Sequence, residues 1–233
     1  MKPINRMSKI LLFIGCLLTG LAVAQTTPKH PDTSGSDWKP LFAADLSDAG
    51  FPKGVWSVEN GVLTATMDIP IWTRKTYKNF ILDLEFKNAP GTNSGVFVYC
   101  SDTANFIPNS VEIQIADDYS DQWSKAPASW QCGAFFGHKP AILPKVVKSA
   151  GEWNHYTVTC QGKNITVLLN GQLVNQIDLS LWTSGKNNPD GSAIPNWLNK
   201  PWASLPNEGY VGFQGKHAGA PIYFKNMKIK ELE

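Results

Sequence analysis

From Trp38 to the C-terminus, short runs of alternating apolar and polar residues recur about every 8 to 15 residues, with Gly or Asn at nearly every break. In "FILDLEFKNA", Phe80, Leu82, Leu84 and Phe86 share one face, and Asp83, Glu85 and Lys87 the other. A period of two belongs to a strand with one buried face. "VWSVENGVLTAT" folds back at Asn60-Gly61, the strongest short hairpin signal. "SGVFVYCS" is apolar throughout and suits a central strand; "VEIQIAD" and "QCGAFFG" follow as shorter ones. "GEWNHYTVTCQGKNITVLLNGQLVNQID" divides at Gln161-Gly162 and Asn170-Gly171 into three strands, and "GYVGFQGK" and "APIYFKNMKIKELE" complete the set. No segment sustains a helical period for three turns, so the crossovers that a parallel sheet requires are missing. The expectation is an all-β antiparallel sandwich or jelly roll without internal repeats.

One stretch breaks the rhythm. Residues 180–208 are rich in Asn, Pro and Trp and show no alternation. Loops this long are functional or disordered, and three Trp argue for an ordered cover. The chain has nine Trp. Trp72, Trp123, Trp130, Trp182, Trp197 and Trp202 sit in turn-rich stretches, where an indole either stacks on a sugar face or pins a loop. The net charge of +2, without a basic run, excludes a nucleic-acid surface.

The N-terminus reads as an address. Lys2, Arg6 and Lys9 precede the apolar run "ILLFIGCLLTGLAVA", which ends in a small-residue site. This predicts a secretory signal over residues 1–24, cut after Ala24, and a periplasmic or secreted protein. Cys16 faintly resembles a lipoprotein site, but the apolar run continues past it. Nothing later is long and apolar enough to span a membrane. Residues 25–37 read as a flexible linker, and residues 38–233 as one domain. Cleavage leaves Cys100, Cys132 and Cys160, an odd number with no zinc spacing. They are expected to act as small apolar fillers.

The chemistry gathers on one strand. In "NSVEIQIADDYSD", Val111, Ile113 and Ile115 face one way, and Glu112 and Gln114 the other. Asp117 joins that face only if a bulge adds a residue. "GTNSGVF" offers Asn93, and "GFQGKHAG" offers Gln214, Lys216 and His217. Alone, each reads equally as the wet face of a sheet. The usual nucleophile, zinc and phosphate motifs are missing. Some jelly-roll glucanases carry E-x-D-x-x-E on one strand. Here that register holds Glu112, Gln114 and Asp117, so the standard carboxylate pair is in doubt.

"NSGVFVY", "VEIQIADD", "CGAFFGHKP", "GEWNHYTVTCQGKNITVLLNGQLV" and "GYVGFQGKHAGAPIYFKNMKIKEL", in that order, resemble the 3-keto-disaccharide hydrolase family. The resemblance runs from about Trp38 to Leu232. It departs at Lys225, where the family usually has Arg, and at "GFQGKHAG", where it often has L-Q-x-H-G. What it implies is a concanavalin A-like (laminin-G-like) jelly roll that cleaves glycosides oxidised at C3. The ketone acidifies the C2 hydrogen, a base removes it, the enolate expels the C1 group, and water adds back. That route needs one base, one acid and a donor for the enolate.

Under this resemblance Glu112 or His138 is the base, and Asp117 a second acid or sugar ligand. Asn93, Gln114 and Gln214 hold hydroxyls, and Lys216 or Arg74 steadies the enolate, with Trp72 and His217 as further substrate contacts. His138 leaves a strand in "GAFFGHKP", and the near-neutral pKa usual for His suits proton transfer. Its plain alternative is a surface-loop histidine. A divalent metal would also polarise the ketone, but no ligand spacing supports one and no cofactor is expected. The partner is an oligosaccharide or glycoside. Two other readings stand beside this one: a lectin-like carbohydrate-binding module, and a conventional glucanase-like hydrolase.

Overall fold

A computed structural model describes residues 29–233; the expected signal and Cys16 lie outside them. Thirteen strands are present among the described residues. They are β1 (Lys39–Pro40), β2 (Ala49–Gly50), β3 (Trp56–Glu59), β4 (Val62–Ala65), β5 (Ile71–Tyr77), β6 (Phe80–Asn88), β7 (Asn93–Cys100), β8 (Val111–Ala116), β9 (Trp153–Gln161), β10 (Asn164–Leu169), β11 (Gln172–Asp178), β12 (Gly209–Phe213) and β13 (Ile222–Glu231). They form two antiparallel sheets. One runs β11-β10-β9-β6-β13-β4-β3, with β1 also paired to β13; the other runs β2-β5-β12-β7-β8. The expected antiparallel sandwich is therefore present. No helix among the described residues is long and apolar enough to cross a membrane.

The core lies where alternation puts it. Phe80, Leu82, Leu84 and Phe86 of β6 are fully buried, and so are Val111, Ile113 and Ile115 of β8. Each such side chain contributes about 1.5–3 kcal/mol by leaving water. Phe213 and Phe224 stack between the sheets, ring centroids 4.6 Å apart. The Tyr156 hydroxyl donates across the core to the Gln114 carbonyl at 2.8 Å. Cys100, Cys132 and Cys160 are free and buried, as apolar fillers are. Asn60 and Gly61 take φ of 51° and 75°, the pair of left-handed residues that a two-residue hairpin turn demands.

Three elements differ from the sequence pattern. "QCGAFFG" forms two isolated bridges at Phe135, to Ile113 and to Lys139, rather than a strand. Its backbone follows the free edge of β8, with Gln114 N–H donating to Ala134 and Phe136 N–H to the Glu112 carbonyl. β5, by contrast, is a full strand that alternation conceals, because it bulges: between the Trp72–Gly212 and Thr76–Tyr210 pairs, Thr73, Arg74 and Lys75 face the single Val211 of β12. Thr73 Oγ1 fills the gap, donating to the Lys75 carbonyl and accepting from Val211 N–H. The third is the stretch expected as a flexible linker.

From residue 29 that stretch is docked on the outward face of the larger sheet. His30 Nδ1 bonds Thr157 Oγ1 at 2.8 Å, and its Nε2 accepts from Gly171 N–H at 2.7 Å. Its ring stacks on His155 at 3.6 Å. Thr157 donates on to Asp83 Oδ2, which also faces His155 Nε2. Lys228 Nζ holds the Thr33 carbonyl. Residues 180–208 do form an ordered cover, with Trp182, Trp202 and Leu205 buried among short 3-10 turns.

His30 is bonded in its neutral form. Burial, then the neighbouring His155, lower its pKa below the usual value, against a smaller pull from Asp83. The unfolded chain therefore takes up a proton that the folded one refuses, and stability falls as pH drops below the ordinary His range, about 6.5. His30→Ala is expected to cost about 1–2 kcal/mol near neutrality and to flatten this acid dependence. Thermal melts from pH 5 to 8 check both.

Candidate functional site

The site lies on the outward face of the five-stranded sheet. Glu112 and Gln114 of β8 pair with Phe97 and Gly95 of β7, so these four share a face with Asn93. Gln214 continues β12, its N–H donating to the Gly95 carbonyl. Gly95 is what lets Glu112 lie flat. A Cβ there would meet Glu112 Oε1 at 2.2 Å. Gly212, farther along the face, admits the Trp72 ring in the same way.

Loops raise walls round this floor and close a pocket of about 260 Å³. The loop before β8 brings Phe106 and Ile107, the loop after it Trp123, Trp130 and Phe136, and the long cover Trp197. His217, just past β12, also lines it. None of these aromatic walls was assigned to the site from the sequence. The unusual Trp content was the available signal, but it did not separate Trp123, Trp130 and Trp197 from Trp182 and Trp202, which pin the cover.

The Glu112 carboxyl has no hydrogen-bond partner among the described residues. The side chain keeps some surface open to the pocket, yet protein packs densely round the carboxyl. Burial, with a smaller push from the negative Asp68, raises its pKa to about 8. The acid holds its proton at neutral pH. Gln114 Nε2 donates to Asn93 Oδ1 at 2.9 Å. The side-chain oxygens of Gln114 and Gln214 are buried without a donor, so the floor has acceptor capacity to spare. His217 Nδ1 lies 2.6 Å from Asp68 Oδ2. The carboxylate there demands a donor, which fixes a proton on Nδ1; in the neutral ring Nε2 is then the acceptor. Sequence reasoning missed Asp68, which is brought in from the loop between β4 and β5.

Several expected site residues lie elsewhere. Asp117 does not share the Glu112 face, because no bulge intervenes: Asn93 pairs with Ala116, and Asp117 N–H donates to the Thr92 carbonyl. Its carboxylate closes a turn, accepting from Gly91 and Tyr119 N–H. His138 is stacked on Trp202 at 3.6 Å and bonded to the Phe136 carbonyl. Burial lowers its pKa to about 4, and it lines a separate small cleft with Trp182 and Asn188. Neither sits beside Glu112. Trp72 and Arg74 line a shallower hollow along β5; Trp72 backs the pocket wall only indirectly, through Phe97 and Phe106. Lys216 does not line the pocket; its backbone N–H is bound to the Met67 carbonyl. His30, Asp83 and His155 place three potential metal-ligand atoms within 4.8 Å of one another. They lie on the other sheet, and the hydrogen bonds described above already engage them.

Aromatic walls over a floor of amides and one carboxyl, set on the face of a β-sandwich, are the equipment of a carbohydrate-active protein. The comparisons agree. Residues 33–230 match the model of the 3-keto-alpha-glucoside-1,2-lyase-like domain, and the chain belongs to that family. It is 23% identical over 178 residues to the 3-keto-disaccharide hydrolase of Bacteroides thetaiotaomicron, covering 67% of this chain and 60% of that protein. A Parabacteroides distasonis protein assigned as a glycosyl hydrolase is 54% identical, with a TM-score of 0.82 over 84% of this chain and 99% of its own. A second protein from that organism, with the same assignment, has a TM-score of 0.65 at 24% identity, covering 84% of this chain and 94% of its own.

Gly95→Ala tests the floor. The added methyl meets the Glu112 side chain at Oε1, Cγ and Cδ, all within 2.9 Å, so the whole side chain must swing aside, at an expected cost of about 1–2 kcal/mol. Glu112 is pushed off the sheet toward solvent, and its pKa is expected to fall toward the ordinary carboxylate range. A melt, and carboxyl titration followed by NMR, read the two effects separately.

Proposed function

We propose that this pocket cleaves the glycosidic bond of 3-keto-glycosides by elimination and rehydration. One observation carries the reading: Glu112, with its pKa raised to about 8, is the one carboxyl among the described residues that line the pocket. A retaining glycosidase needs two carboxyls roughly 5–5.5 Å apart, and Asp117 is committed to its turn. Elimination next to a ketone needs a base, a proton donor and N–H groups for the enolate, with no carboxylate pair.

The roles then follow from the chemistry of each group. The ketone at C3 acidifies the C2 hydrogen, and His217 Nε2, steadied by Asp68 through Nδ1, takes that proton. The enolate oxygen is met by side-chain amide N–H groups of the floor. Glu112 gives its proton to the glycosidic oxygen as the C1–O bond breaks, and the aglycone leaves as an alcohol. Water then adds to C1 of the enone; Glu112 recovers a proton from it, and His217 returns one to C2. The product is the free 3-keto sugar. In the same reading the protein works in the periplasm or outside the cell, on the strength of its N-terminal signal.

Purified protein incubated with a 3-keto-disaccharide and, separately, its unoxidised parent decides the matter by mass spectrometry. Cleavage of the keto form alone is expected. Cleavage of the parent would point to a glucanase, and saturable binding without cleavage to a lectin. Glu112→Gln keeps the shape but not the labile proton. It is expected to lower kcat by about 10²–10⁴ with the melting temperature maintained. Wild-type kcat/KM is expected to fall as pH rises through about 8, because the charged carboxylate no longer donates. A profile that keeps rising past that point would remove Glu112 from the role of acid.

A further inference from the structure

The pocket divides by chemistry. Glu112, Gln114, Asn93, Gln214 and His217 hold all the polar side-chain groups among its described lining residues, apart from indole N–H groups. The mouth is apolar. Trp197 is 52% exposed and Ile107 46%, two large hydrophobic side chains left in water at the rim of one pocket. They come from different loops, and Lys200 Nζ ties those loops together by donating to Asn109 Oδ1 at 2.7 Å. Trp197 does not dangle. Trp130 meets it edge-on at 6.2 Å, and Phe136 braces Trp130 at 5.4 Å. The Trp123 indole N–H is already spent on the Gly91 carbonyl.

A floor that bonds one sugar ring leaves this mouth for whatever C1 carries. A second sugar can lay one face on the same rings, but the hydroxyls it turns to the wall find almost no side-chain partners, and each one left unpaired weakens binding. A flat apolar group loses nothing there and gains a preformed stacking surface at little entropic cost. Resting on the reaction proposed above, we propose that the departing group is a planar, apolar aglycone seated against the Trp197–Trp130 platform, rather than a second sugar.

The test compares the 3-keto form of a benzyl glucoside with a 3-keto-disaccharide, both anomers of each. Benzyl alcohol leaves about as readily as a sugar hydroxyl, so the comparison isolates recognition. The benzyl substrate is expected to have at least tenfold higher kcat/KM. Trp197→Ala is expected to remove most of that advantage, lowering kcat/KM for the benzyl substrate by a larger factor than for the disaccharide, and Trp197→Phe to restore it in part. Equal or better turnover of the disaccharide, or an equal loss on both substrates in Trp197→Ala, overturns the inference. If neither keto substrate is cleaved, the proposed reaction fails by itself. Trp fluorescence titration with the unoxidised benzyl glucoside and disaccharide then decides: tighter benzyl binding lost in Trp197→Ala supports the aglycone site, and equal or tighter disaccharide binding refutes it.

Discussion

Val111, Ile113 and Ile115 are fully buried between the sheets, and a strand that buries these three has no freedom over Glu112 and Gln114. The period of two sends both outward. The β7 ladder fixes which residues they meet there, with Glu112 opposite Phe97 and Gln114 opposite Gly95. A slip of one residue would expose three large side chains, at about 1.5–3 kcal/mol each, and drive a carboxyl into the core. The packing that stabilises the sandwich thus also aims the acid, and the site inherits its register from the core.

That acid is held at a cost. A carboxyl whose folded pKa is about 8 against an ordinary 4.5 opposes folding whenever the unfolded chain would ionise it. Its contribution is most favourable below the unfolded value and declines as pH rises toward the folded one. Asp68 increases the penalty from nearby while holding His217. Two titratable side chains line one pocket, Glu112 kept protonated by burial and His217 hydrogen-bonded to a carboxylate, a division of the kind that acid–base chemistry uses. The larger sheet carries the opposite balance: His30, Asp83, His155 and Thr157 satisfy one another, and the result is a fastened strap.

Strand alternation made most of the sandwich legible, because half-buried strands announce themselves by period. β5 escaped for a definite reason: the bulge around Thr73 destroys the period where the strand still pairs. Glu112, Gln114 and Asn93 were legible because they share a ladder. Asp117 turned on whether one residue was inserted, which alternation leaves open. His138 and the Trp residues depend on loop paths. In "GAFFGHKP" nothing local tells whether the imidazole faces the sugar pocket or stacks under the cover on Trp202. Asp68 and His217 are 149 residues apart in the chain, and only the pairing of distant strands brings them together.

The placement of each group also separates what can drift from what cannot. Glu112, Gln114 and Asn93 stand on paired strands over a packed core, and a displacement of any of them would have to move the ladder. Phe106, Ile107, Trp130 and Trp197 stand on loops, whose lengths and tips can change without disturbing the register beneath. Groups that demand fixed geometry belong on the strands, whereas the apolar wall of the pocket stands on the loops. The Lys200–Asn109 bond and the Trp130 brace lend the loop wall enough order to present a surface. Within such an arrangement, the wall of the pocket can change with its loop residues alone, while the Glu112 floor and its proton stay where the core has put them.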